Sequence, residues 1–146
     1  MALEKIKIKN SITWKRLRNR AGELYQWGDW KSKATDRNWS KSNIIYRWVN
    51  NSTGQIVVIG EAKTKLMDRV NNYTSASKSS AGATNRRVFQ EQQKLQKKSN
   101  YLYLEFTDEV PGYNLSKDRE RKLAESLLIG YYKPYLQFNS KMRRGG

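Results

Sequence analysis

The chain contains no cysteine and no histidine, and these two absences remove more chemistry than any motif adds. Zinc fingers, thiol nucleophiles, Ser-His triads and histidine-activated nucleases all need a residue that is missing. Catalysis, if present, falls to carboxylates, Tyr, Lys and Arg, with a hard cation such as magnesium or manganese held by a carboxylate and waters. No apolar run approaches the roughly 20 residues that cross a bilayer, and no secretory signal core is visible. An intracellular, cytoplasmic protein without a membrane partner is therefore expected. Acidic residues are also scarce, with 13 Asp and Glu against 29 Lys and Arg and a net charge of +16. A field of that size selects a polyanionic partner. Aromatic residues make up 12% of the chain, and rings set among cations stack on bases while the cations grip phosphates, so nucleic acid leads.

A length of 146 residues suits one domain with a core of its own. Three segments are expected: a basic, aromatic arm over 1–42, a core over 43–140 and a loose tail over 141–146. In the arm, "SITWKRLRNRAGELYQW" repeats Trp14, Leu17, Ala21 and Leu24 at three and four residue intervals. That spacing predicts a helix capped by Ser11, with Lys15, Arg16, Arg18 and Arg20 on its other sides. Such a helix can enter a major groove, or it can pack on the core or on a second subunit. The following "GDWKSKATDRNWSKS" reads as a loop.

The core opens with two β-branched and aromatic runs, "NIIYRWV" and "IVVIG", around "NNSTGQ", which predicts a hairpin. A turn centred on Ser52 would set Tyr46 opposite Val58. A helix is expected from Lys65 to Tyr73, a Ser/Ala/Gly-rich loop from Thr74 to Thr84, and a second helix over "NRRVFQEQQKLQKKS". Next comes an alternating strand, "NYLYLEF". A last helix is expected with Ser116 as its cap, Leu123, Leu127 and Tyr131 as its apolar stripe and Pro134 as its stop.

This order and these residues resemble the GIY-YIG nuclease superfamily over about Ile44 to Asn139. "IIY", Ile44 to Tyr46, stands where that family has GIY, and "VIG", Val58 to Gly60, stands where it has YIG, with eleven residues between Tyr46 and Val58. "LMDRVNNY" resembles the family's basic helix, and "AESLLIGYYKPYLQF" its closing segment. The resemblance implies an α+β fold, a small three-stranded antiparallel sheet flanked by helices. It also implies a metal-dependent DNA endonuclease of the small restriction or phage type, prokaryotic or phage in origin, acting on double-stranded DNA with one Mg2+ or Mn2+ per active site. Carried over position by position, it implies that Tyr46 positions or deprotonates the attacking water. Arg69 would hold the scissile phosphate, Tyr73 would assist at the nucleophile or leaving group, and Glu125 would bind the metal. Lys63, just past the strand, would lower the pKa of Tyr46. Cleavage of palindromic sites would suggest a homodimer. The expected nucleic-acid contacts are Lys15, Arg16, Arg18, Arg20, Lys65, Arg86 and Arg87. Three positions depart from the pattern: Ile44 replaces its first Gly, Val58 its second Tyr, and Gln137 its terminal Asn, unless Asn139 fills that place.

The spacing has its own logic. Arg69 and Tyr73 are four apart on one predicted helix and so rise from one face. Phosphodiester hydrolysis gathers negative charge on phosphoryl oxygens, which a fixed guanidinium and a cation stabilise. Each residue also has a plainer reading: Tyr46 as a strand aromatic, Arg69 as a solvated charge, Tyr73 as a packing residue, and Glu125 as a surface acid paired with Arg121. Two rival functions remain open. "VVIGEAK" contains Glu61-Ala-Lys63, half of the PD-(D/E)xK nuclease pattern, although no Asp stands near Asn43 on the preceding strand. A nucleic-acid-binding protein on a nuclease scaffold that has lost catalysis is the other.

Overall fold

Nearly continuous burial from Ile44 to Asn50 and from Ile56 to Ala62, on both faces of the strands, drives the central hairpin of the computed structural model, which describes residues 12–19, 22–27, 40–75 and 83–137. The two strands, β2 (Ile44–Asn50) and β3 (Ile56–Ala62), pair antiparallel with Tyr46 opposite Gly60 and Trp48 opposite Val58. This register differs by two residues from the expected pairing of Tyr46 with Val58. The turn decides it. Gly54 takes a φ of 74°, and its N–H donates to the Asn50 carbonyl at 2.8 Å while the Asn50 N–H donates to Gln55 at 3.0 Å. A positive φ favours glycine, so the turn closes at Gly54 and Gln55, and an irregularity between Trp48 and Val49 completes the shift. Because the slip is two residues, Tyr46 and Val58 still share one face.

Strand β4 (Leu102–Thr107) pairs with the other side of β2, and β1 (Lys15–Arg16) pairs with β4, giving an antiparallel sheet in the order β1-β4-β2-β3. The sheet thus has four strands rather than the expected three. The extra strand comes from the arm, where a helix was expected. There the Leu17 and Trp27 N–H groups donate to the Leu104 and Leu102 carbonyls, and Tyr25 returns to Leu17. Gly22, with a φ of 82°, and the Asn19 side chain, which accepts the Glu23 N–H at 3.0 Å, make the reversal between them. Asn and Gly are turn formers that interrupt a helix, and Leu24, the last member of the supposed stripe, is 39% exposed.

Among the described residues three helices cover the sheet: α1 (Leu66–Thr74), α2 (Ala83–Gln96) and α3 (Asp118–Tyr132). Val70 and Tyr73 of α1 and Val88 and Leu95 of α2 pack with Tyr46, Trp48 and Val58 on one face, together with Leu17, Tyr25 and Trp27 of the arm. Ala124, Leu128 and Ile129 of α3 cover Ile45 and Ile59 on the other. The α3 helix departs from expectation twice. Ser116 does not cap it; its hydroxyl donates to Asn114 Oδ1 at 2.6 Å, and Lys117 holds the cap position without a side-chain bond. Its inward face runs through Arg121, Ala124 and Leu128, while Leu123 of the expected stripe is 50% exposed. The partners of Arg121, described below, hold the helix at that rotation. The helix stops at Lys133, in the left-handed region just before Pro134. No helix among the described residues is long and apolar enough to cross a membrane.

Candidate active site

Gly60 is the seat of the site. A Cβ at this position would overlap the Tyr46 hydroxyl and ring, with Cε2 only 2.9 Å away, so the cross-strand neighbour of Tyr46 has to lack a side chain. The Tyr46 ring lies over that space. Its hydroxyl is 3.0 Å from the Tyr73 hydroxyl, contributed by the last turn of α1. The two rings meet edge to face at 6.0 Å, and Trp48 contacts Tyr73 in the same way at 5.8 Å. Both phenols are buried.

Two charged groups complete the cluster. Arg69, one turn before Tyr73, is half-buried, and its guanidinium lowers the proton affinity of Tyr46, Tyr73 and Glu125 alike. Glu125 comes from α3, across the outer edge of β3. Burial, with a further contribution from the Glu61 charge, pushes its carboxyl up to about 7, although the Glu61 backbone N–H donates to it. Tyr46 and Tyr73 are pushed up as well, chiefly by burial. Both are therefore neutral phenols at neutral pH. The four residues expected from the sequence to work together, Tyr46, Arg69, Tyr73 and Glu125, are thus neighbours contributed by three separate elements.

Lys63 is the exception. Its ammonium pairs with Asp118 at 3.6 Å on the surface, and the cations acting on Tyr46 are led by Arg69. The expectation that Lys63 lowers the Tyr46 pKa gives way on both counts. Glu125 does not pair with Arg121 either. The Arg121 guanidinium is buried and binds Glu61 at 2.9 Å, Asp118 at 2.8 Å, Asn43 at 3.3 Å and the Leu115 carbonyl at 3.0 Å. It holds the Glu61 side chain against α3, the helix that also carries Glu125. Sequence reasoning missed this role for Arg121, since nothing links two residues sixty positions apart. The Glu61-Ala-Lys63 half-motif is likewise engaged, with each end tied to an opposite charge and Ile45 facing Glu61 across the strands.

The closing segment seals the β3 edge. The Leu136 N–H donates to the Val57 carbonyl at 2.9 Å, and Gln137 Oε1 accepts the Ile59 N–H at 2.9 Å. Gln137 thus binds the β3 backbone, while Asn139 lies outside the described residues. Val58 is buried in the core beside Trp48.

The basic residues divide between two regions. Lys65 is exposed at the start of α1, and Arg86, half-buried, and Arg87, exposed, lie on α2. Lys15, Arg16 and Arg18 lie on or beside β1, at the far edge of the sheet from β3. Arg20 lies outside the described residues. Among the described residues no group of three or more carboxylates forms a metal cluster. Glu125, half-buried with Glu61 beside it, is nevertheless an oxygen donor, which a bound divalent cation would hold ionised. Such a donor fits magnesium or manganese, which keep most of their waters. Comparison with family models, curated proteins and solved structures finds no match for this chain.

Proposed function

We propose that the protein is a divalent-metal-dependent DNA endonuclease whose active site is formed by Tyr46, Arg69, Tyr73 and Glu125. The observation that carries this reading is the meeting of a buried phenol pair, a half-buried guanidinium and a carboxylate of raised pKa at one strand edge. Two hydroxyls bring two protons. Their mutual hydrogen bond uses one, so the other is available to a phosphate or water oxygen. Because burial holds Tyr46 neutral, it positions the attacking water by hydrogen bonding rather than deprotonating it. Arg69 answers the negative charge that grows on the phosphoryl oxygens, a role worth roughly 100- to 1000-fold for a single fixed donor. Glu125 would hold Mg2+ or Mn2+, which when bound supplies Lewis-acid polarisation and a more acidic water. The net charge of +16 draws duplex DNA to the site with a strong salt dependence.

A second reading, a nucleic-acid-binding protein that does not cut, draws its support from Val58, which puts an apolar, buried side chain at a position where the resembled family has a hydroxyl. Turnover separates the two. Purified protein incubated with duplex DNA is expected to yield discrete fragments with magnesium or manganese and none with a chelator. Salt-sensitive binding without fragments under any metal would leave the second reading in place.

A further inference from the structure

The sheet face opposite Tyr46 carries two arginine-aromatic stacks that differ in one respect. Arg47 lies 4.0 Å over the Trp14 ring and 5.0 Å from that of Tyr132. Its charge is met by Glu105 at 2.8 Å, in a pair whose side chains are 14% and 19% exposed. That stack is closed. Arg16 lies 3.8 Å over the Tyr103 ring, yet no carboxylate among the described residues comes within ion-pair distance of it. Its Nε is buried without a hydrogen-bond partner among the described residues. Arginine has five donors in a fixed fork, and with Nε out of reach the terminal N–H groups, which have no acceptor among the described residues, are left to meet an anion.

The surroundings specify the anion further. Tyr103 on β4 and Tyr101, which immediately precedes the strand and exchanges hydrogen bonds with Asn51, are both half-buried, and extended spacing sets them on one face about 6.7 Å from each other. A guanidinium stacked on a ring is a flat, cationic plane on which a base can lie. Bases offer their faces only when they are unpaired. The face sits on β1 and β4, two to three strands from the β3 edge where Glu125 lies, so it is separate from the candidate active site.

We propose that Arg16, Tyr101 and Tyr103 bind single-stranded nucleic acid, with an unpaired base on the Arg16-Tyr103 stack and its phosphate on the guanidinium edge. The proposal rests on the preceding reading only in taking the polyanionic partner to be nucleic acid; cleavage is not required. The test is fluorescence anisotropy of a labelled oligothymidine of about 15 nucleotides with the full chain and no divalent metal. Tyr103→Leu and Arg16→Gln are each expected to raise Kd by about 5- to 100-fold, the range of one lost base stack. Tyr103→Phe, which keeps the ring, should stay within about 2-fold, as should Lys98→Gln, which removes one charge beyond the end of α2. Equal losses in Arg16→Gln and Lys98→Gln would overturn the platform by making binding a matter of net charge. So would a Tyr103→Leu variant that loses as much affinity for a duplex of the same length as for the oligothymidine, since a paired base offers no face to the ring. A protein that never cuts DNA but shows the expected pattern keeps the platform and loses the nuclease reading. One that cuts, while its variants bind oligothymidine like wild type, does the reverse.

Discussion

Among single residues, Glu125 and Gly60 give the sharpest expectations. The Glu125 pKa rises from an ordinary 4.5 to about 7, so the folded protein keeps a proton that the unfolded chain has lost between those values. Stability from this group is full at low pH and is lost as pH rises through about 7. Glu125→Gln, which cannot ionise and can still accept the Glu61 N–H, should match wild type near pH 4.5 and exceed it at pH 8. Partial exposure limits the gain to about 2 kcal/mol, and urea denaturation at the two pH values measures it. A variant less stable than wild type at pH 8 would contradict the buried-charge account. Gly60→Ala should cost about 1–3 kcal/mol, the usual range for overpacking, because the added methyl meets the Tyr46 ring. The motif reading made Gly60 visible in the sequence as the last residue of "VIG", although β3 does not end there and runs on to Ala62. Its reason, a ring resting on bare backbone, depends on the register of β2 against β3 and becomes visible only in three dimensions.

Elements were legible where one signal dominated. The hairpin, α1, α2, β4 and the stop of α3 at Pro134 all follow from period, turn residues and proline. The arm was misread because Trp14, Leu17, Ala21 and Leu24 happen to fit a helical period, while Asn19 and Gly22 mark a reversal. A two-residue strand such as β1 carries almost no alternation of its own, and its pairing with β4 is decided by a distant partner. The rotation of α3 was hidden for a different reason. A helix that buries an arginine looks polar on its inward face, so an apolar stripe points the wrong way. Arg121→Met should therefore destabilise the protein by about 3–5 kcal/mol, the cost of leaving a buried charge without its partner. Here the stranded group is Glu61, whose side chain is 14% exposed. Chemical denaturation tests this, and a loss below about 1 kcal/mol would mean that Arg121 contributes packing alone.

At the scale of the whole molecule, the +16 charge sets the class of partner without locating a site. The sheet then separates the charged regions. Lys65, Arg69, Arg86 and Arg87 lie on α1, α2 and the turn that leads into α1, whereas Lys15 and Arg16 lie on β1 at the other edge. The candidate catalytic residues were legible individually through their likeness to a family pattern. Their meeting was expected from that likeness alone; the path by which Tyr46, Arg69 and Glu125 reach one another, from a strand and from helices on opposite faces of the sheet, was not legible. The most direct measurement is the single-turnover rate of duplex DNA cleavage with magnesium or manganese for wild type, Arg69→Ala, Glu125→Gln and Glu61→Gln. If the site lies at Tyr46, Arg69, Tyr73 and Glu125, then Arg69→Ala and Glu125→Gln each lose at least about 100-fold, while Glu61→Gln, which keeps its backbone N–H, loses far less. Abolition of cleavage by Glu61→Gln with activity retained in Glu125→Gln would contradict that site and move the chemistry to the Glu61-Ala-Lys63 strand end.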